Sequence, residues 1–205
     1  MIEIDKLNDH YLPRFEKHSE NYEILDWESK EAQYQRFEQL TNLVDLKDKS
    51  ILDIGCGLGD LNSYLKSNGI NSRYIGTDVL AKMIDECKRS FQDGVFFHCD
   101  LFSHTGELPV DLKKSLPVDL IYISGIFNLN IGDMSSFFIH CMDSLDSLFT
   151  ESLVFNLLSV DSPAKEEKYS YFDPQWVKEQ LKSYPWDVQL FNQYRLNDFT
   201  ILCQK

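Results

Sequence analysis

Apolar and polar positions along the chain change their period repeatedly, and each change marks an element. Between residues 3 and 18, Ile4, Leu7, Tyr11, Leu12 and Phe15 recur on one helical stripe. Ala32, Phe37, Leu40 and Leu43 mark a second amphipathic helix, with Asp26 or Ser29 as its cap. From residue 51 short apolar runs alternate with helical patterns. SILDIG (50–55) reads as a buried strand, and DLNSYLKSNG (60–69) as a helix closed by Gly69. SRYIGTD (72–78) is strand-like, VLAKMIDECKRSF (79–91) helical and GVFFHCD (94–100) a third strand. Residues 103–117 read as loop, punctuated by Gly106, Pro109 and Pro117.

VDLIYISG (118–125) is a fourth strand, 135–149 a helix, and LVFNLLSV (153–160) a nearly all-apolar fifth strand. After the polar stretch 161–171, DPQWVKEQLKS (173–183) is a helix with Asp173 as cap and Pro174 in its first turn. WDVQLFNQY (186–194) and DFTILCQK (198–205) are two late strands, joined at a hairpin turn around Asn197 and Asp198. Strand and helix alternate five times before that hairpin. The expected class is α/β: an open, mostly parallel sheet with helices on both faces and one antiparallel edge.

A length of 205 residues suits one domain, and 43% apolar composition can fill its core. The expected division is a helical extension or lid over 1–49 and a main domain over 50–205. Acidic residues outnumber basic ones by 33 to 20, a formal charge of -13, which opposes binding to nucleic acid phosphates. The pair of lysines in DLKKSLP (111–117) is the closest approach to a basic patch. No run is apolar enough to span a membrane, and none reads as a signal segment, so a cytoplasmic chain is expected. Five scattered cysteines lack framework spacing and fit reduced, buried thiols. The histidines do not pair at metal-ligand spacing, so no metal is expected. The expected partner is a small molecule, and the oligomeric state stays open.

Open parallel sheets bind ligands beyond the carboxyl ends of their strands, so the strand exits carry the functional signal. The first exit is Asp53 followed by Gly55, Gly57 and Gly59. Glycine allows a left-handed backbone and close approach of a ligand, or simply a tight turn. The spacing is G-x-G-x-G, with Asp60 where a dinucleotide fingerprint has its third glycine, and an acid there opposes a pyrophosphate. That disfavours a nicotinamide-dependent oxidoreductase. Asp78 ends the second strand and suits a ribose diol or an N-cap. Asp100 ends the third and suits an exocyclic amine or a turn. Ser124 and Gly125 end the fourth, with Phe127 as pocket floor or core. Ribose, base and a phosphate-free remainder describe S-adenosylmethionine.

These exits carry a family resemblance. LDIGCGLG (52–59), YIGTD (74–78), FFHCDLF (96–102) and VDLIYISGIFN (118–128), in order and at normal spacing, resemble four motifs of the class I S-adenosylmethionine-dependent methyltransferases. The resemblance covers residues 50–205 and implies a Rossmann-like, seven-stranded sheet, with 186–204 as strands six and seven. It implies that Asp53, Gly55, Cys56, Gly57 and Gly59 line the methionine portion of S-adenosylmethionine. Asp78 would hold the ribose, Val79, Leu80, Asp100 and Leu101 the adenine, and Ser124 and Gly125 would lie under the sulfonium. S-adenosylhomocysteine would be the product. WESKEAQYQRF (27–37) resembles a lead-in of a bacterial subset of the family. There Arg36, three residues after Gln33, would pair with the cofactor carboxylate or with a nearby Glu, while Trp27 serves packing or the substrate wall.

Methyl transfer needs in-line positioning rather than a triad, so no catalytic residue is assigned. Phe127, Asn128, Tyr169 and Tyr171 are the candidates to meet the acceptor, with Asn130 and Phe172 beside them and Lys165 and Lys168 for an anionic one. SGIF replaces the fourth-strand motif of amide-nitrogen methyltransferases, which weighs against nucleobase or glutamine targets. The competing reading is a non-catalytic cofactor-binding or interaction module with the same fold.

Overall fold

The computed structural model describes residues 3–103, 107–192 and 197–205. Gly106 and most of the link between the two last strands therefore lie outside the described residues. Seven strands form one sheet: β1 (Ser50–Ile54), β2 (Arg73–Asp78), β3 (Val95–His98), β4 (Val118–Ile123), β5 (Phe149–Leu158), β6 (Asp187–Phe191) and β7 (Asp198–Gln204). Their order is β3-β2-β1-β4-β5-β7-β6. β1 is parallel to β2 and β4, β2 to β3, and β4 to β5, while β7 runs antiparallel to both β5 and β6.

The antiparallel hairpin expected from the sequence forms one edge of this sheet, with β7 inside and β6 outermost. β7 is buried along almost its whole length and fits between two partners, whereas β6 alternates half-exposed and exposed residues and takes the edge. β5 also starts earlier than its apolar run, at Phe149, which pairs with Val118 of β4; the exposed Thr150 and Glu151 stand at a register shift before the ladder resumes at Ser152.

Between the strands run α5 (Asp60–Ser67), α6 (Ala81–Ser90), α7 (Val110–Ser115), α8 (Met134–Leu145) and α9 (Pro174–Leu181), preceded by α1 (Ile4–Tyr11), α2 (Arg14–Lys17), α3 (Asn21–Ile24) and α4 (Lys30–Leu43). The expected helix over 3–18 is broken into α1 and α2 at Pro13, whose ring leaves no N–H to continue the ladder. The stretch 103–117, expected as loop, contains α7, anchored by the fully buried Leu112. Ser29 caps α4, its hydroxyl accepting from the Ala32 N–H at 3.0 Å. Asp26 does not cap it; it stands at φ +60°. No helix among the described residues is long and apolar enough to cross a membrane.

The helices cover both faces of the sheet. On one face α8 and α9 bury an aromatic core in which the Phe127 ring meets Phe137, Phe138, Phe155 and Phe172 at centroid distances of 5.5–6.5 Å. On the other, α4, α5 and α6 pack Phe37, Leu40, Leu61, Leu65, Ile84 and Cys87 against Ile51, Leu120, Tyr122 and Val154. Residues before β1 are therefore part of a packed layer. Phe127→Ala, at a site with no exposure, is expected to cost about 3–5 kcal/mol of unfolding free energy, read as a lower urea midpoint.

Candidate functional site

Parallel pairing aligns the carboxyl ends of β1, β2, β3 and β4 along one edge, and a cavity opens there. Its floor is the turn after β1. Gly55, Gly57 and Gly59 stand at φ +76°, +53° and +78°, a region in which other residues are strained. The turn is held from below, with Gly55 N–H and Cys56 N–H both donating to Thr77 O at 2.8 and 2.9 Å. The Cys87 thiol lies 3.2 Å from Gly57 O. A Cβ on Gly55 would fall 2.2 Å from the Ile126 side chain, and one on Gly57 2.8 Å from Leu25, so both turns need bare backbone. Gly59 is the left-handed cap of α5 and does not face the cavity.

Carboxylates surround this floor. Asp53 is buried and accepts from the Tyr74 hydroxyl at 2.6 Å; burial pushes its pKa up to about 7 despite that bond. Asp78 accepts from Gly57 N–H at 3.0 Å and Leu80 N–H at 2.9 Å, and burial pushes it up to about 6 against those bonds. Asp60 accepts from Asn21 and Gln33 side-chain amides at 2.7 and 3.2 Å, with its pKa raised by burial. Asp100 accepts from Phe102 N–H at 2.9 Å. Among the described lining residues there is no Lys, Arg or His. No group of three or more described His, Cys, Asp or Glu side chains is arranged to hold a metal ion.

Beside Asp78 and Asp100 the walls are Val79, Leu80, Met83, Cys99, Leu101 and Phe102. Across β4 they are Ser124, Gly125, Ile126, Asn128, Leu129 and Phe137. Ser124 Oγ accepts from the Asn156 amide at 3.0 Å. The N-terminal segment closes this side with Leu7, Tyr11, Leu25, Asp26 and Trp27, and the loop after β5 contributes Tyr169. Asp26 joins those two segments. It receives Arg14 Nη2 at 2.8 Å, Lys168 Nζ at 3.1 Å and the Tyr169 hydroxyl at 2.8 Å, with His10 Nε2 3.1 Å away. Burial works to raise its pKa, but bonds from His10, Lys168 and Tyr169 and the Arg14 charge hold the carboxyl well below the usual range.

Most residues expected from the strand exits meet in this cavity: Asp53, Gly55, Cys56, Gly57, Asp78, Val79, Leu80, Asp100, Leu101, Ser124, Gly125, Asn128 and Tyr169. Three do not. Arg36 is buried, and its Nε donates to Asp198 Oδ2 at 2.7 Å while Nη1 donates to Ala32 O at 2.6 Å. Its guanidinium stacks 4.5 Å from the Trp27 ring centroid. Its charge is paired not with Glu31 or Glu38 but with a strand residue 162 positions away. Phe127 turns into the aromatic core rather than the cavity. The Tyr171 hydroxyl accepts from Glu166 N–H at 2.9 Å within its own loop, outside the cavity.

Trp27 fills the wall instead. Its ring lies 3.2 Å from where a Cβ on Gly125 would sit, held from its other side by Arg36. Asp26, Leu25, Tyr11 and Tyr122 also line the cavity without having been singled out for it. Asp26 meets Tyr169 across 143 positions, and Leu25 meets the glycine turn at Gly57, contacts that no local pattern records; Tyr122 lies in an apolar strand run in which one hydroxyl does not stand out.

A sheet of this order, with a glycine turn leaving its first strand and carboxylates leaving its first three, is the Rossmann-like architecture found in the class I S-adenosylmethionine-dependent methyltransferases. Residues 51–147 match the family described as a methyltransferase domain. A Mycobacterium tuberculosis protein named as a methyltransferase, Rv1506c, is 29% identical over 163 residues, covering 76% of this chain and 93% of that one. Magnesium protoporphyrin IX methyltransferase from Synechocystis, solved with bound S-adenosylhomocysteine, superposes with a TM-score of 0.69 at 11% identity, covering 99% of this chain and 100% of that chain. The N-methyltransferase NodS from Bradyrhizobium japonicum, with the same bound molecule, gives 0.68 at 15% identity, covering 96% and 98%.

Two tests follow from this geometry. Arg36→Met leaves Asp198 without its guanidinium partner in a buried place, and is expected to cost about 3–5 kcal/mol of stability in denaturant unfolding. An Arg36 reserved for a ligand would leave stability unchanged. The folded chain also keeps a proton on Asp53 that the unfolded chain releases near its ordinary pKa of 3.8. That contribution to stability is full below 3.8 and is lost as pH rises through about 7. Denaturant midpoints of the ligand-free protein should therefore fall less steeply across this window in Asp53→Asn than in the unsubstituted chain.

Proposed function

We propose that the chain transfers a methyl group from S-adenosylmethionine to a small-molecule acceptor. The observation that carries this is the lining: a bare glycine turn ringed by carboxylates, with no cationic side chain among the described lining residues. A phosphate-bearing dinucleotide would find no positive partner there, and Asp60 stands at the start of α5 where a pyrophosphate would sit. A nucleoside carrying an amino acid and a positive sulfur suits it. In this reading Asp78 holds the ribose hydroxyls, and Val79, Leu80, Met83, Asp100 and Leu101 hold the base. Gly55, Cys56, Gly57 and Asp53 lie along the remainder, and Ser124 and Gly125 under the sulfur.

The bound cofactor supplies an electrophilic methyl; the chain's residues position the acceptor and exclude water. The acceptor end is walled by Trp27, Tyr11, Leu129, Phe137 and Tyr169, with Asn128 as the polar contact. That supports an acceptor with an apolar or aromatic body. Asp26 already receives two cations and a hydroxyl, so it is spent on structure and is not the proton acceptor in this reading. The segment before α4 acts as a lid over this end.

Calorimetric titration tests the cofactor. S-adenosylmethionine and S-adenosylhomocysteine should each bind at micromolar concentration to the unsubstituted protein, and Asp78→Ala should abolish binding. Failure of both ligands to bind a folded sample overturns the proposal. The acceptor class is tested with methyl-labelled cofactor and a cell extract. Label should appear in the small-molecule fraction, and label confined to precipitated protein would exclude a small acceptor.

A further inference from the structure

Tyr122 has a side chain that its own fold leaves unfinished. It is the fifth residue of β4, 1% exposed, and in register with Asp53 of β1. Residues aligned in this way on parallel neighbours point to the same face, so the Tyr122 ring rises beside Asp53 on the side covered by α4 and α5. It lines the cavity there together with Gln33, Phe37 and Asp60. Its hydroxyl is buried and makes no hydrogen bond of good geometry; the Ser124 side chain lies beside it, but the Ser124 hydroxyl is engaged with Asn156. Buried polar atoms are nearly always paired, and leaving one unpaired costs stability, so such an atom in a cavity wall calls for a ligand group.

The sheet order says which group. Asp78 and Asp100 leave β2 and β3 on one side of β1, and Tyr122 approaches the edge on the other side, on β4. A nucleoside amino acid whose base lies over β2 and β3, with its amino-acid end along Asp53 and the turn after β1, brings that end beside Tyr122, the β4 partner of Asp53. Its carboxylate needs donors, and the cation expected to serve it, Arg36, is bound to Asp198. The Ser124 hydroxyl is engaged with Asn156, and the Gln33 amide with Asp60. Burial pushes the Tyr122 pKa up, so the phenol keeps its proton and remains a donor.

We infer that the Tyr122 hydroxyl donates a hydrogen bond to the carboxylate of the bound cofactor, replacing a cationic side chain at that end of the site. The inference rests on the methyltransferase reading above. It makes Tyr122 a binding residue that recognises the amino-acid part of the ligand and not its nucleoside.

Tyr122→Phe removes one oxygen and tests this without an acceptor. Without ligand, its melting temperature should match or exceed that of the unsubstituted protein, because the lost hydroxyl made no bond. Its calorimetric affinity for S-adenosylhomocysteine should drop on the order of tenfold or more, as expected for a bond to a charged group. Its affinity for 5′-methylthioadenosine, which lacks the amino-acid end, should be unchanged. Equal affinity of both proteins for S-adenosylhomocysteine overturns the inference, and so does an equal loss for both ligands. A markedly lower melting temperature would show that the hydroxyl serves the fold. If the unsubstituted protein binds neither ligand, the methyltransferase reading itself fails.

Discussion

The parallel pairing of β1 with β2 and with β4 is the constraint on which the cavity depends. Parallel strands end on one edge of a sheet, so Gly55, Asp78, Asp100 and Ser124 meet there from four separate stretches of chain. Register matters as much as direction. Asp53 stands opposite Gly76 on one side and Tyr122 on the other. A slip of one residue would turn Asp53 and its neighbours to the opposite face and carry their polar atoms into the aromatic core. Two apolar layers, one on each face, make such a slip prohibitive.

Within that frame the site accumulates buried negative charge rather than dispersing it. Asp53, Asp60 and Asp78 each lose hydration, and each is compensated by neutral donors: a phenol, two amides and backbone N–H groups. The buried cation of this region is neutralised elsewhere, at Asp198 on β7. Such a site is costly to form and favours a positively charged guest. Arg36 thereby acts on the cavity through a ring, pressing Trp27 against the exposed backbone of Gly125.

What was legible in the sequence was what local pattern records. Apolar runs marked all seven strands, and the acids and glycines directly after them marked the cavity floor, since a strand exit is a local event. Direction beyond the exit was not legible. Phe127 and Asn128 are adjacent, yet one enters the core and the other the cavity. Partners distant in the chain were hidden too: Arg36 and Asp198 are separated by 162 positions, and Asp26 and Tyr169 by 143. Tyr122 sits in an apolar run, where a tyrosine reads as core until its hydroxyl is traced.

Asp26 has a consequence for traffic through the site. Its left-handed backbone places one carboxylate where the segment before α4 and the loop after β5 come together, and it ties them through Lys168 and the Tyr169 hydroxyl, with Arg14 bound to it from its own segment. The two segments come from opposite ends of the chain, yet over the acceptor side they form one hinged door with a single bolt. A molecule entering or leaving past them must either draw that bolt, exposing a carboxylate and the Arg14 and Lys168 charges to water together, or swing both segments as a unit. Exchange through this opening should then slow or quicken with the salt concentration of the medium, because salt weakens the half-buried bolt while leaving the apolar walls untouched.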